Sequence, residues 1–233
     1  MCGRYSLAPA EFSQLRLQFQ VEAEFPLSQR YNISPTWAPG YESPIVFQAP
    51  EAGRQLALAR WWLIPSGWSR PLKALPTAFN ARSEEISSKP FWARSFESRR
   101  CLVPTTGWRE FSGPRGQRRA FQFHYDHGLF AFAGVWDRWL SPEGEAVQSF
   151  AIVTVAANEM VSPVHDRMPL CVDPALYGVW LDPELSGERA LAAVRAPAAP
   201  LALYEADTRG NDSRLEGPEC IAPARTRQLG LFS

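Results

Sequence analysis

Apolar positions recur along this chain with two different periods. Phe12, Leu15 and Phe19 follow Pro9 three and four residues apart, which predicts a helix over residues 9–20 with one stripe turned to a core. Further on, β-branched and aromatic runs at 45–48, 56–64, 101–104, 108–111, 120–125, 130–139 and 150–156 are bounded by Gly, Pro, Asp or Ser, as short strands are. Asp126-His127-Gly128 reads as a hairpin turn. Helical stretches at 89–97, 174–181 and 187–194 fall between strands without alternating regularly with them. The pattern predicts an α+β fold: one domain with a curled, barrel-like mixed β-sheet and a few short peripheral helices. No internal repeat is visible, and the Ala/Pro-rich stretch 190–202 reads as a connector. The periodicity stops near Pro223, which divides the chain into a domain over residues 1–224 and a flexible C-terminal tail over 225–233.

Composition narrows the class. With 45% apolar residues, nine Trp and 14 Phe in 233 residues, a substantial core can be filled. No stretch approaches the roughly 20 apolar residues of a membrane span, and residues 1–25 lack the pattern of a secretory signal, so a cytoplasmic location is expected. Cys2, Cys101, Cys171 and Cys220 are far apart and form no CxxC pair, which suggests neither a disulfide framework nor a zinc site. His124 and His127 flank the hairpin turn and have no third ligand nearby, so no metal and no other cofactor is expected. The net charge of zero argues against binding polyanions by bulk attraction. Of the 24 basic residues only Lys73 and Lys89 are lysines. Genome base composition accounts for most of that bias toward arginine, and only arginines inside motifs are singled out. No oligomerisation pattern stands out, so a monomer is the default.

The residue with the most distinctive chemistry is Cys2. Removal of Met1 would make it the N-terminus, with a free α-amine (pKa about 7.7–8.0) and a thiol (about 8.5) on adjacent carbons. Such a 1,2-aminothiol traps aldehydes: the amine condenses to a Schiff base, and the thiol closes on the imine carbon to give a thiazolidine. Other segments look like functional loops rather than packing elements: Arg30–Thr36, Phe79–Glu84, Arg100–Pro104 leading into Gly107–Phe111, and His165–Pro169. Taken singly, Asn80 reads as a turn residue, Glu110 as the outward position of an alternating strand, and His165 as a structural histidine beside Asp166. Nothing resembles a phosphate-cradling loop or a GxSxG elbow.

Together with Cys2-Gly3-Arg4, these segments and their order resemble the SOS response-associated peptidase (SRAP) family of abasic-site shielding proteins, from residue 2 to about residue 224. The resemblance implies that Cys2 links covalently to the ring-opened aldehyde of an abasic site in single-stranded DNA. Asn80, Glu110 and His165 match the family's other active-site positions. A carboxylate and an imidazole suit the proton transfers of ring opening and Schiff-base formation. Arg4, Arg82 and Arg167 adjoin Cys2, Asn80 and His165 in sequence and are assigned to DNA phosphates. Trp68 falls where the family presents aromatic rings to bases. Trp61-Trp62 departs from the family's usual Trp-Gly, and both tryptophans are read as core. Arg109 and Phe111 also depart, because the family more often has aromatics on both sides of the Glu.

The tail carries a separate signal. Gln228, Leu229, Leu231 and Phe232 resemble the Gln-Leu-x-Leu-Phe peptide by which bacterial replication and repair proteins dock on the sliding clamp. The expected function is therefore covalent capture of abasic sites in single-stranded DNA at replication forks. Two alternatives remain: a cysteine-type peptidase or autoprocessing enzyme that uses Cys2, and a non-covalent, clamp-tethered adaptor.

Overall fold

The computed structural model of the protein describes residues 2–22, 25–36, 38–114, 117–126, 128–195 and 201–224. His127 and the clamp-type peptide lie outside the described residues. Among the described residues, thirteen strands and four α-helices follow in the order β1 (Tyr5–Leu7), α1 (Phe12–Phe19), β2 (Arg30–Ile33), β3 (Glu42–Ala49), β4 (Gly53–Trp61), β5 (Asn80–Arg82), α2 (Pro90–Ser98), β6 (Arg100–Thr105), β7 (Gly107–Ser112), β8 (Arg119–Tyr125), β9 (Phe130–Leu140), β10 (Ala146–Ala156), β11 (Arg167–Pro169), β12 (Cys171–Val172), α3 (Tyr177–Leu181), α4 (Gly187–Val194) and β13 (Leu201–Ala206).

The strands form two sheets. In the larger, β10 pairs in parallel with β4, β4 with β3, β3 with β6, β6 with β9, and β9 back with β10, which closes a five-stranded mixed barrel. The second sheet is antiparallel in the order β13-β8-β7-β1-β2. This is the α+β, barrel-like single domain that the pattern of the sequence predicts. One continuous core joins the sheets, with Tyr5, Trp61, Trp108, Phe132 and Phe150 all essentially inaccessible. Trp108 stacks on Phe123 with ring centroids 5.0 Å apart, and Tyr5 meets Trp61 edge-on at 5.0 Å. Trp61 is core, as expected, and its indole N–H donates to Phe79 O at 2.8 Å; Trp62 is half-buried.

Local chemistry sets the helix ends. Pro90 occupies the first turn of α2, and Ser186 Oγ accepts from Arg189 N at the start of α4. Helix α1 closes at Gln20, whose φ of 55° is left-handed and lets Val21 N–H bond Arg16 O. Three expectations are corrected. The stretch 190–202 is not simply a connector, because α4 runs to Val194 and β13 starts at Leu201. The helix expected over 174–181 opens as a 3₁₀ turn, Pro174–Leu176, capped by Asp173. The strand expected over 56–64 ends at Trp61, and Ile64, although buried, has left the sheet to donate its N–H to Ser149 Oγ. No helix among the described residues is long and apolar enough to cross a membrane.

Arg100 ties the helices to the barrel. It is 5% exposed, and its five N–H donors meet five main-chain carbonyls: Trp180, Phe96, Glu97, Asp182 and Leu185. These carbonyls lie at or just past the C-termini of α2 and α3, where a cation is favoured. Replacing Arg100 with Ala orphans several of them, and equilibrium denaturation is expected to show a loss of at least about 3 kcal/mol, with Lys restoring only part.

Candidate active site

Strand register brings the first residues beside Glu110. Tyr5 faces Trp108 and Ser6 faces Gly107, and Arg109 N–H donates to Arg4 O at 2.9 Å; continued one step, that antiparallel register sets Gly3 opposite Glu110. Strand β10 supplies the other wall. Near its C-terminal end β5 pairs along one edge, with Ile152 opposite Asn80, and β11 along the other, with Ala156 opposite Arg167. His165 sits in the turn entering β11, its N–H bonded to Val161 O at 3.0 Å.

Asn80 connects these walls. Its Nδ2 donates to Cys2 O at 2.7 Å, while its Oδ1 is buried and has no partner among the described residues. The amide thus fixes the Cys2 main chain and leaves one acceptor lobe for a donor of the reacting groups. Cys2 is fully buried, with Sγ 3.8 Å from Arg4 O. Burial, reinforced by the charge of Glu110, pushes its thiol well above the usual range, so the sulfur is held as S–H.

Glu110 is only 2% exposed. Desolvation pushes its carboxyl up to about 7; the chain's amino terminus pulls it down and Asp166 pushes it up. The outward-facing alternative for this residue is thereby excluded. His165 is partly exposed, and burial together with the N-terminal charge lowers its pKa against the opposing pull of Asp166. Its Nδ1 accepts from Arg167 N at 2.9 Å, which assigns the proton of the neutral ring to Nε2. Asp166 Oδ1 also lies 2.9 Å from Nδ1, ready to accept from it when the ring is protonated. Four groups, a thiol, an amide, a carboxyl and an imidazole, are thus held near the first residues, and the carboxyl is poised to exchange protons near neutrality.

The motif arginines divide. Arg4 donates to Asn32 Oδ1 at 2.7 Å and to the carbonyls of Gly210 and Asn211 at 3.4 Å. Arg167 grips Glu84 with two 2.9 Å bonds and Thr154 O with a third at 2.6 Å; the side-chain bonds to Arg167 hold the Glu84 carboxyl down at about 2. These two guanidiniums hold the site's own loops together. Arg82 is exposed and has no salt bridge among the described residues. It lines a groove of about 260 Å³ with Phe79, Asn80 and Trp92. Trp68 lies apart from Cys2, on a groove of about 350 Å³ formed with Phe91 and Arg94; its ring meets Phe91 edge-on at 6.2 Å and carries Arg70 at 5.3 Å.

Sequence reasoning gave Asp166 only the part of a carboxylate beside a structural His165, although its charge also reaches Glu110. It also missed the clasp behind Glu110. Asn32 Nδ2 donates to Asp212 O and Leu215 O, while buried Arg109 donates to Asn211 Oδ1 at 3.2 Å and to Cys220 O. A Cβ at Gly210 would come within 2.5 Å of Cys220 O and 2.6 Å of Arg109 Nη2, so only glycine admits that fork. The one available signal was the departure of Arg109 from an aromatic residue.

Against protein-family models, residues 1–212 match the family described as SOS response associated peptidase (SRAP). The abasic site processing protein YoqW of Bacillus subtilis (strain 168) is 28% identical over 228 residues, covering 95% of this chain and 99% of that protein. The abasic site processing protein HMCES of Rattus norvegicus is 30% identical over 229 residues, covering 83% of this chain and 65% of that protein. Among solved structures, a Bacteroides thetaiotaomicron protein superposes with a TM-score of 0.82 at 21% identity, over 96% of this chain and 100% of the other. A phage-related protein from Bordetella bronchiseptica gives a TM-score of 0.65 at 28% identity, over 88% and 93% of the two chains. From the match over residues 1–212, this chain is a member of the SOS response associated peptidase (SRAP) family.

Proposed function

We propose that this chain processes abasic sites in DNA by capturing the aldehyde of the lesion covalently through Cys2, in single-stranded DNA. The observation that carries the reading is the burial of Glu110 beside the N-terminal residues, with Asn80 holding the Cys2 carbonyl. Relatives over most of the chain bear the name abasic site processing protein, which supports the substrate class.

The reaction begins once loss of Met1 frees the Cys2 amine. The neutral amine adds to the aldehyde to give a carbinolamine, which loses water to become an imine. The protonated Glu110 carboxyl supplies the proton for the departing hydroxyl. Because the Cys2 sulfur is held as S–H, its addition across the C=N bond needs a base; the carboxylate just formed takes that proton, and the imine nitrogen regains one. The result is a thiazolidine joined to the sugar by C–N and C–S bonds, with water the only loss and no oxidant needed. Neutral His165 carries its proton on Nε2 and serves ring opening and the reverse reaction. Arg82 is the first phosphate contact, and Trp68 offers a stacking face farther along the strand. Arg4 and Arg167 hold the loops next to Cys2 and His165.

The deciding experiment is a denaturing gel of untagged protein with a single-stranded oligonucleotide bearing one abasic site. A heat-stable shifted band is expected, absent with Cys2→Ala and with intact duplex. No band from protein whose mass confirms loss of Met1 would favour the peptidase or adaptor readings.

Glu110 gives a pH test. Its pKa is raised on folding, so between about pH 4.5 and 7 the folded state binds more protons than the unfolded one, and its contribution to stability falls as pH rises through that window. Glu110→Gln removes this slope, so its melting temperature relative to the parent is expected to rise from pH 5 to pH 8. Its cross-linking rate should drop by about a hundredfold. A parallel shift of both proteins with pH would refute the assignment.

We further propose that Gln228, Leu229, Leu231 and Phe232 dock on the sliding clamp. Fluorescence anisotropy of a labelled peptide spanning residues 225–233 is expected to saturate with a Kd of about micromolar; a non-saturating response would end this reading.

A further inference from the structure

Two of the three motif arginines are already engaged within the fold: Arg4 by Asn32 and two carbonyls, Arg167 by Glu84 and Thr154 O. A strand of DNA passing the His165 wall needs cations whose charge is still available. Arg82, exposed at the end of β5, is one. A second comes from outside every motif, at the end of α4.

Arg195 directly follows Val194, the last residue of α4, and it is exposed. A cation at a helix C-terminus commonly serves the helix's own last carbonyls. Arg195 reaches away from them instead: its Nη2 donates to Ser83 Oγ at 3.1 Å, and among the described residues no carboxylate pairs with it. Ser83 is 5% exposed and lies between Arg82 and Glu84. Its N–H donates to Thr154 O at 2.9 Å, and that same carbonyl takes Arg167 Nη2 at 2.6 Å. The main-chain N–H of Arg167 in turn bonds His165 Nδ1. A single shared carbonyl therefore links the residue that holds Arg195 to the guanidinium beside the imidazole.

Three guanidiniums, Arg82, Arg167 and Arg195, thus gather on residues 82–84, facing the carboxylates of Glu84 and Asp166, while Glu85 is taken by Lys89. A chain of zero net charge carries a local excess of cations here. We propose that Arg195 binds a backbone phosphate of the single strand, in addition to the one on Arg82, with Ser83 as the tether that aims it. This contact presupposes that the chain binds single-stranded DNA, as proposed above. The Ser83 hydroxyl is neutral, so it orients the guanidinium without cancelling its charge, and it occupies one of five donors. The rest of the planar fork is left to grip two phosphate oxygens, and a tethered side chain has less freedom to lose on binding.

Fluorescence anisotropy of the untagged full chain with a labelled, undamaged single-stranded oligonucleotide, repeated over a salt series, tests this contact. For Arg195→Gln the slope of log Kd against log salt is expected to fall by about 0.7, the share of one phosphate on a single strand, with affinity reduced about three- to tenfold at low salt. Arg195→Lys keeps the charge and should keep the slope. Cross-linking of Arg195→Gln to an abasic strand should need correspondingly more DNA to reach half its maximal rate, while the rate at saturation stays within about twofold of the parent. Equal slopes for the parent and Arg195→Gln would overturn the proposal, whatever their affinities, and so would a parent chain that does not bind the oligonucleotide. Absence of a Cys2-dependent band with slopes that still differ would instead remove covalent capture and leave the phosphate contact standing.

Discussion

Everything in this molecule hangs on the two edges of strand β10. Its first half closes the barrel between β9 and β4; its second half takes β5 on one side and β11 on the other. Both faces of β10 are also covered here, and Phe150, Ala151, Ile152 and Val153 are all inaccessible. The interaction that finishes the barrel is therefore the same one that sets Asn80 and His165 around a single strand end. The second sheet then needs only the β1–β7 pairing to deliver Cys2 and Glu110 to that place. The geometry of the candidate site is thus set first by backbone hydrogen bonding, and side chains such as Asn80 fasten it.

Burial acts in one direction on all three titratable groups. It raises the Cys2 thiol and the Glu110 carboxyl and lowers the His165 imidazole, so each is driven toward its neutral form. The charge near Glu110 that opposes this is the amino terminus, a charge that loss of Met1 would move to the Cys2 amine. In the proposed chemistry the Cys2 amine must be neutral to add, so Glu110 would then lack the cation that favours its ionised form and would hold its proton more firmly. The Cys2 thiol loses the same support.

The longer elements were legible because they are long enough to show a period. β3, β6 to β10 and α4 each fall where hydrophobic patterning puts them, whereas β1, β2, β5 and β11 have three or four residues and cannot display one. Those short strands carry or adjoin Cys2, Asn80 and His165. The residues were therefore visible as motifs while their meeting was not, since register across distant strands leaves no mark in local sequence. Glu110 shows the limit most clearly. Alternation along β7 suggested an outward side chain, but the burial of Gly107, Trp108, Arg109 and Glu110 in succession shows both faces covered. What covers this end of β7 includes the segment held by Arg4, Asn32 and Arg109, which begins beyond β13 and has no periodic pattern of its own.

That segment also changes the meaning of the arginine-rich composition. Base composition explains a preference for arginine over lysine on the surface, but not at Arg100 and Arg109, which are 5% and 3% exposed. The partners of Arg100 are carbonyls, and Arg109 meets carbonyls and the Asn211 amide, each group reached from a different direction by a flat fork of donors. A lysine ammonium offers three donors on one point and would leave several of these oxygens dry. Each guanidinium joins segments far apart in sequence: Arg100 binds two helix ends, and Arg109 binds the stretch from Asp207 to Cys220. The polar fork fastens what hydrophobic contact alone would leave free to slide. Arg109 does so one residue from Glu110, so the clasp that secures the C-terminal segment also fixes the strand that presents the carboxyl.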